Sequence, residues 1–190
     1  METTPDASPW GFGATLRVNG VYISWYTDAI TEQDAECFNT FIGSWEGQQT
    51  WESLNILIAL RTWKTWWSRL QICLQVKADN ITALSLLCRL KGSSTALNII
   101  ARELALEFGD GSFFPSVVTH VPGIALKTVD SLSRRHQPNF KFTLPHPLVH
   151  VPQVHPEARD DQFWQALHPP KVHWKRGAED SEPRREAGGR

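Results

Sequence analysis

The sequence predicts an α/β domain in which a mixed sheet is flanked by helices. Near its start, Asn19-Gly20 gives a strong hairpin-turn signal between two strand-like segments, residues 10–18 and 21–26. Apolar and polar residues alternate with period two in residues 70–77, which is typical of a strand with one buried face. Apolar residues recur at helical spacing in several later segments, so strands and helices must pack as layers.

The first half of the chain opens with a short extended segment that leads to Asp6. After the hairpin, residues 27–47 fit either a short helix or a long loop. Residues 50–67 predict the clearest helix, with Thr50 as its cap and Glu52 in its first turn, where a carboxylate favours the helix dipole. This helix carries three tryptophans whose helical spacing favours packing over stacking on nucleic acid, namely Trp63, Trp66 and Trp67.

The second half of the chain continues with alternating elements after the predicted strand at residues 70–77. Asp79 or Asn80 can cap a helix over residues 81–90, and Gly92 can end it. Ser93 or Ser94 can begin a further helix. The remaining predicted elements are that helix over residues 95–108, a strand over 116–121 and a final helix over 127–135.

Composition divides the chain into a domain, residues 1–137, and a linker with a disordered tail, residues 138–190. The second part holds eight of the twelve prolines and five of the seven histidines. With 190 residues, 41% of them hydrophobic, the chain can form one core of ordinary size. The scattered histidines of the tail have no metal-ligand spacing, which favours the linker interpretation.

Charge, cysteines and hydropathy narrow the environment of the protein. The formal net charge is −1, and neither the domain nor the tail has the strong excess of positive charge that is typical of nucleic-acid-binding chains. Three cysteines without metal-ligand spacing predict neither a disulfide framework nor a zinc site. No apolar run approaches the roughly 18 residues of a membrane span. These features predict an intracellular protein without a membrane partner, and they do not distinguish cytoplasm from nucleus.

Four acids occupy comparable places at element ends: Asp6, Glu52, Asp79 and Asp130. In an α/β sheet, strand ends and helix starts along one edge form a crevice, so these carboxylates are predicted to converge there. Converging carboxylates repel one another unless a cation neutralises them, and Mg²⁺ prefers oxygen ligands. Glu46 is a rival to Glu52, but the apolar pattern after Glu52 favours the latter.

These acids stand in motifs that resemble the ribonuclease H family, specifically the version attached to retroelement reverse transcriptases. The resemblance covers residues 3–136 and implies a five-stranded mixed sheet flanked by helices. The matching motifs are Asp6-Ala7-Ser8 followed by Trp10-Gly11-Phe12-Gly13-Ala14, Glu52 followed by Ala59-Leu60, Ala78-Asp79-Asn80 with Thr82-Ala83, and His120-Val121-Pro122-Gly123 running to Val129-Asp130-Ser131-Leu132-Ser133-Arg134.

The resemblance implies hydrolysis of the RNA strand of an RNA–DNA hybrid by two Mg²⁺ ions, for which Mn²⁺ can substitute. Asp6 would bridge both ions, Glu52 and Asp79 would complete one shell, and Asp130 would bind the other ion. His120 matches the family's mobile histidine and would shuttle protons or assist product release. The implied contacts to nucleic acid come from Ser8, Gln48, Gln49 and Asn80, since amide side chains suit sugar hydroxyls and base edges.

The chain departs from the family pattern before Asp6. Only a few residues precede this acid, and Pro5 cannot donate to a strand ladder, so the first strand is predicted to be shortened. We therefore expect a part or remnant of a retroelement polyprotein, with an adjacent polymerase domain as a partner. Two alternatives stay open: a catalytically inactive module that binds nucleic acid or a reverse-transcriptase domain, and another nuclease or integrase of the same broad superfamily.

Overall fold

The computed structural model describes residues 1–67, 72–110 and 113–167. Five strands form one sheet in the order β3-β2-β1-β4-β5. The first three strands are antiparallel neighbours, whereas β1–β4 and β4–β5 are parallel pairs. The predicted α/β class with a five-stranded mixed sheet is thus confirmed. The strands are β1 Glu2–Ser8, β2 Gly11–Val18, β3 Val21–Ala29, β4 Ile72–Ala78 and β5 Phe113–His120.

Helices cover both faces of this sheet. In the segment that the sequence left open, β3 continues to Ala29 and a short helix follows, which begins with a capping box between Thr31 and Asp34. Within the described part of the chain, every helix is too short or too polar to cross a membrane. The helices are α1 Glu32–Phe38, α2 Gln48–Thr62, α3 Lys64–Trp67, α4 Ile81–Arg89, α5 Thr95–Asp110 and α6 Lys127–Ser133.

The start of α2 differs from the prediction. A 3-10 turn, Trp45–Gly47, precedes the helix, and Gly47 stands at the cap position without a side-chain hydrogen bond. Thr50 therefore lies inside the helix and Glu52 lies in the second turn, so both expectations are wrong. The 3-10 turn leads directly into α2, so the helix starts without a capping side chain. Glu52 consequently owes little to the helix dipole, whose effect fades within the first turn.

The ends of the middle helices are partly as predicted. Asn80 Oδ1 accepts from Ala83 N at 3.0 Å and Ser94 Oγ accepts from Leu97 N at 3.2 Å, which confirms both residues as caps. The left-handed residue that ends α4 is Leu90, with φ 52°, and not Gly92. The N–H of Gly92 instead donates to Asn98 Oδ1 at 3.0 Å, which ties the α4–α5 connection to the next helix.

Strand β1 is seven residues long and pairs with β2 along its whole length. Its pairing with β4 is limited to Glu2 and Thr3. Met1 O accepts from Gln75 N at 2.9 Å, and strand backbone groups alternate between neighbours, so Pro5 directs its missing N–H toward β4. The proline therefore stands where ladder pairing has ended. The pairing of β1 with β2 is therefore not shortened, whereas its pairing with β4 is.

The two faces of the sheet carry different helices. Phe12 faces α2, where its ring meets Trp51 with centroids 6.3 Å apart. Its neighbour Gly13 points to the opposite face, where a Cβ would lie 2.5 Å from Leu132 Cβ of α6. Most buried apolar residues lie on the α2 face, together with α4 and α5. Gly13 therefore allows α6 to approach the sheet closely on the other face.

Replacing Gly13 with alanine should lower the free energy of unfolding by at least about 1–3 kcal/mol, because the new methyl group overlaps atoms of α6. Such a Cβ would lie 2.6 Å from the backbone nitrogen of Ser133, which cannot move like a side-chain tip. Urea unfolding measures the change. Gly109→Ala is the control, since nothing lies within 4 Å of a Cβ there and alanine favours the helix. Equal stability of the two variants would contradict the close packing of α6.

The tryptophans of the second and third helices pack as predicted in two of three cases. Trp63 is 1% exposed and Trp67 is fully buried. Trp66 is 42% exposed and so lies outside the core. The helix also breaks at Trp63, after which α3 begins at Lys64. Trp66 therefore points away from the core that Trp63 and Trp67 share.

Residues 138–167, which we call the C-terminal strap, pack on the domain and differ from the expected linker. Val154 N donates to Trp25 O at 2.9 Å and Trp25 N donates to Pro152 O at 3.2 Å, so the strap pairs with β3 at the edge of the sheet. Leu148, Phe163 and Trp164 are buried. The tail expected over residues 168–190 lies outside the described residues.

Candidate metal centre

Three of the predicted acids meet at one edge of the sheet. Asp6, Glu52 and Asp79 each present a carboxylate oxygen, and these oxygens all lie within 4.8 Å of one another. Asp6 comes from β1, Glu52 from α2, and Asp79 follows β4. Carboxylate oxygens at this spacing form a cluster that can hold a metal ion. The predicted convergence of these three side chains is therefore observed.

The topology explains why these side chains converge. Strands β1 and β4 are parallel neighbours, so their carboxyl ends open on the same edge of the sheet. The chain turns after Asp79 into α4, whose cap is Asn80. Gly123 leaves room for the carboxylate of Asp79, because a Cβ at Gly123 would lie 2.8 Å from Asp79 Oδ2. A larger residue at this position would crowd the cluster.

The three acids line a cavity of about 270 Å³ that opens at this edge. Asp130 also lines it, so all four predicted acids face one space. Of the residues expected to contact nucleic acid, Ser8, Gln48 and Asn80 line the cavity, whereas Gln49 does not. The complete lining is Asp6, Ala7, Ser8, Pro9, Trp45, Gln48, Glu52, Asp79, Asn80, Asp130 and Arg134.

The carboxyl group of Asp6 has a strongly raised pKa. Burial raises its pKa from 3.8 to about 7, and the charges of Asp79 and Asp130 act in the same direction. A hydrogen bond from Ser133 Oγ to Asp6 Oδ2, 2.6 Å long, opposes this rise, as does the charge of Arg134. Near neutral pH, an additional positive charge is therefore needed to keep Asp6 fully ionised.

Glu52 is held in a similar way by α2. Burial raises its pKa well above the usual value, and the charges of Asp6 and Asp79 raise it further. Gln48 lies one helical turn earlier, and its Nε2 donates to Glu52 Oε1 at 2.8 Å and to Ala7 O at 2.6 Å. Gln48 therefore ties the glutamate to strand β1. Gln48 Oε1 is buried and has no hydrogen-bond partner among the described residues.

Asp130 stands apart from the other three acids. Its Oδ1 accepts from Arg134 Nε at 2.7 Å, one turn later along the chain. The side chain of Asp130 is 44% exposed, and the three-carboxylate cluster does not include it. Asp130 therefore lines the cavity as an ion-paired side chain outside the cluster, and its role as a metal ligand stays a prediction.

The remaining predicted residues have other settings. Ser8 is buried, and its Oγ donates to Ser133 O at 2.7 Å and accepts from the backbone of Trp10 and Gly11. Its hydroxyl thus ties β1 to α6. Gln49 is exposed on the first turn of α2. His120 is exposed at the end of β5, paired in register with Ala78, and it does not line the cavity.

Sequence reasoning missed two residues that position the cluster. Asn55 is fully buried, and its Nδ2 donates to Asp6 O at 2.6 Å and to Gly13 O at 2.9 Å. The sequence did contain a signal for Asn55, because it is a lone amide in the apolar stretch of α2 and, three residues after Glu52, lies on the same helix face. Ser133 lies inside the motif that contains Asp130, but its partner Asp6 is 127 residues away in the sequence, and no local pattern reveals such a contact.

Fold and site together define an α/β protein with a candidate centre for a metal ion built from three carboxylates. Comparisons with protein-family models, with curated proteins and with solved structures find no match to this chain. The class of the protein therefore rests on its own geometry.

Proposed function

We propose that this chain is a metal-dependent endonuclease of the ribonuclease H type, which hydrolyses the RNA strand of RNA–DNA hybrids. One observation carries the proposal: Asp6, Glu52 and Asp79 come from three elements and bring their oxygens within 4.8 Å. The order of the motifs along the chain and the five-stranded mixed sheet agree with this class. A retroelement origin and an adjacent reverse-transcriptase domain belong to the same proposal.

The donor set fits Mg²⁺ or Mn²⁺. All three donors are carboxylates, the hard oxygen ligands that these cations prefer. Burial chiefly, and the charges of the neighbouring acids in addition, raise the pKa values of Asp6 and Glu52, so the ionised forms are destabilised in the metal-free site. A bound divalent cation would relieve this repulsion, and it would supply Lewis-acid activation of water and of the phosphodiester. A second ion would draw on Asp130, whose Oδ1 accepts from Arg134 Nε.

The protein's own groups prepare the site for a phosphodiester. Ser133 orients the carboxylate of Asp6, and Gln48 orients that of Glu52, so neither acid is free to rotate. Asn80 lines the cavity and Gln49 is exposed on the first turn of α2, and in this proposal their amides would contact ribose hydroxyls. His120 is exposed at the end of β5, next to the end of β4 that leads to Asp79, and it would move protons to or from the products.

Cleavage should depend on Asp79. In the presence of Mn²⁺, Asp79→Asn should lower the hydrolysis of a labelled RNA strand in a hybrid at least about a hundredfold, because it removes one ligand charge. Calorimetry should show the loss of Mn²⁺ binding in parallel. Glu46→Gln is the matched control, since Glu46 is exposed and does not line the cavity. Wild-type cleavage no faster than that of Asp79→Asn would refute the proposed activity.

The ion pair between Asp130 and Arg134 favours a second candidate, a catalytically inactive module that binds nucleic acid or a reverse-transcriptase domain. In that case the pair persists, and the three remaining acids bind one cation at most. The stoichiometry of Mn²⁺ in the calorimetric titration separates the candidates. Two ions per chain support the nuclease, whereas one ion or none, without cleavage, supports the inactive module.

A further inference from the structure

Trp45 is an exposed aromatic residue in the wall of the acidic cavity. It is 65% exposed and lines the same space as the four acids. Phe41, in the same connection between α1 and α2, is 79% exposed. Neither the proposed metal chemistry nor the core uses these rings. An indole beside a phosphodiester site offers a flat apolar face, which suits contact with a nucleobase.

The connection that presents Trp45 is well anchored. Gly43 N donates to Pro9 O at 2.8 Å, which ties the connection to the end of β1. Gly43 adopts φ 87°, and a Cβ there would lie 3.2 Å from the indole nitrogen of Trp10. Ser44 Oγ accepts from Glu46 N at 3.2 Å and so caps the turn that begins at Trp45. The position of Trp45 relative to the acids is therefore defined by the fold.

Trp45, Gln48 and Glu52 follow one another at spacings of three and four residues. Residues at these spacings lie on one face of a helix, and all three line the cavity. Along this face, the carboxylate of Glu52 belongs to the metal cluster, the amide of Gln48 donates to it, and the indole of Trp45 is the most exposed of the three side chains. The order matches the parts of a nucleotide, in which the phosphate is charged, the sugar is polar and the base is flat.

The size and charge of the cavity decide what can lie inside it. Its volume of about 270 Å³ is below the range of roughly 300–1,000 Å³ typical of pockets that enclose a whole small molecule. A cation and one phosphodiester group fit its acidic lining, and an attached base must extend toward solvent, along the exposed indole of Trp45 in the cavity wall. With a net charge of −1, the chain also has little electrostatic attraction for nucleic acid, so stacking can add affinity that charge does not supply.

We infer that Trp45 stacks on an unpaired nucleobase adjacent to the phosphodiester at the metal centre. This inference rests on the proposed function and narrows its substrate class. In a continuous hybrid both faces of each base are covered by neighbouring bases, so an indole cannot stack on them. The protein therefore favours RNA–DNA hybrids with a gap or overhang, where the RNA strand leaves the duplex and its first unpaired base is accessible to the indole.

The test measures binding and not cleavage. A fluorescently labelled hybrid with a short unpaired RNA overhang is compared with a blunt hybrid of the same duplex sequence, by anisotropy, with Ca²⁺ in place of Mg²⁺. We expect the wild-type chain to bind the overhang hybrid about 5-fold to 100-fold more tightly, the effect of one stacked base. Trp45→Ala should abolish this difference, and Trp45→Phe should retain part of it.

Trp66→Ala is the matched control, because Trp66 is 42% exposed and does not line the cavity. It should keep the preference of the wild type. Equal binding of both hybrids by the wild-type chain, or a preference that survives Trp45→Ala, would overturn the inference. Mn²⁺ binding and the unfolding midpoint of Trp45→Ala should remain at wild-type values. Failure of the nuclease proposal appears separately, as absent Mn²⁺ binding and absent cleavage in the wild-type chain.

Discussion

The metal-free protein should lose stability as the pH rises from about 4 to about 7. Burial raises the pKa of Asp6 from 3.8 in the unfolded chain to about 7, so the folded state holds a proton that the unfolded state has released. At about 1.4 kcal/mol per pKa unit, this difference costs about 4 kcal/mol once both states are ionised. Between pH 5 and pH 8, Asp6 alone should lower the free energy of unfolding by about 3 kcal/mol.

The measurement is urea unfolding at a series of pH values in the presence of a chelator. Asp6→Asn should flatten the profile and raise the stability at pH 8, since an amide oxygen can still accept from Ser133 Oγ. Glu46→Gln, at an exposed position, should leave the profile unchanged. Adding Mn²⁺ to the wild type at pH 8 should restore stability, because the cation binds the folded state. A wild-type stability that is constant or that rises between pH 5 and pH 8 would contradict the raised pKa of Asp6.

Arg159→Met should destabilise the fold by about 3–5 kcal/mol, the usual result of removing one partner of a buried ion pair. Arg159 Nε donates to both carboxylate oxygens of Asp34, at 2.8 and 3.0 Å, and the same guanidinium binds Asp28 and Ala29 O. Burial works against the charge of Arg159, but the hydrogen bond and charge of Asp34, together with Asp28, raise its pKa. Asp34 is only 1% exposed in the folded chain, and without Arg159 its carboxylate would lose the cation that neutralises it.

Equilibrium unfolding in urea compares this variant with Arg89→Met, which removes an exposed arginine and should change stability by less than about 0.5 kcal/mol. Asp34→Asn combined with Arg159→Met should recover part of the loss, since the isolated charge is then gone. If the strap behaved as a linker, Arg159→Met and Arg89→Met would have equal effects. This comparison therefore tests the docking of residues 138–167 directly.

The order of the elements was accessible from the sequence because the signals are local. The Asn19-Gly20 turn, the period-two run before Asp79 and the cap at Asn80 each depend on a few neighbouring residues. The positions of Asp6, Glu52 and Asp79 at one edge followed from this order and from the topology of α/β sheets. The start of α2 was missed because a 3-10 turn replaced a capping side chain.

Proline content misled the interpretation of residues 138–167. Prolines disfavour regular ladders, but they do not prevent an extended segment from packing on an existing surface. Leu148, Phe163 and Trp164 are apolar anchors spaced far apart along the strap, so no periodic pattern announces them. Arg159 reaches Asp34 across 125 residues, and its partner is visible only once the domain has folded.

By itself, the sequence determined the α/β class and predicted four acids at one edge of the sheet, because hydrophobic periodicity and turn residues act over short distances. The fold decided that three of these acids form the cluster. Only the tertiary structure decided that Pro5 falls where β1 has left β4, that Ser133 holds Asp6, and that Arg134 neutralises Asp130. Each of these depends on side-chain orientation or on contacts between distant segments. The stretch around Asp6 shows both levels, since its motif is local and the ionisation of its carboxylate depends on burial and charges from the rest of the fold.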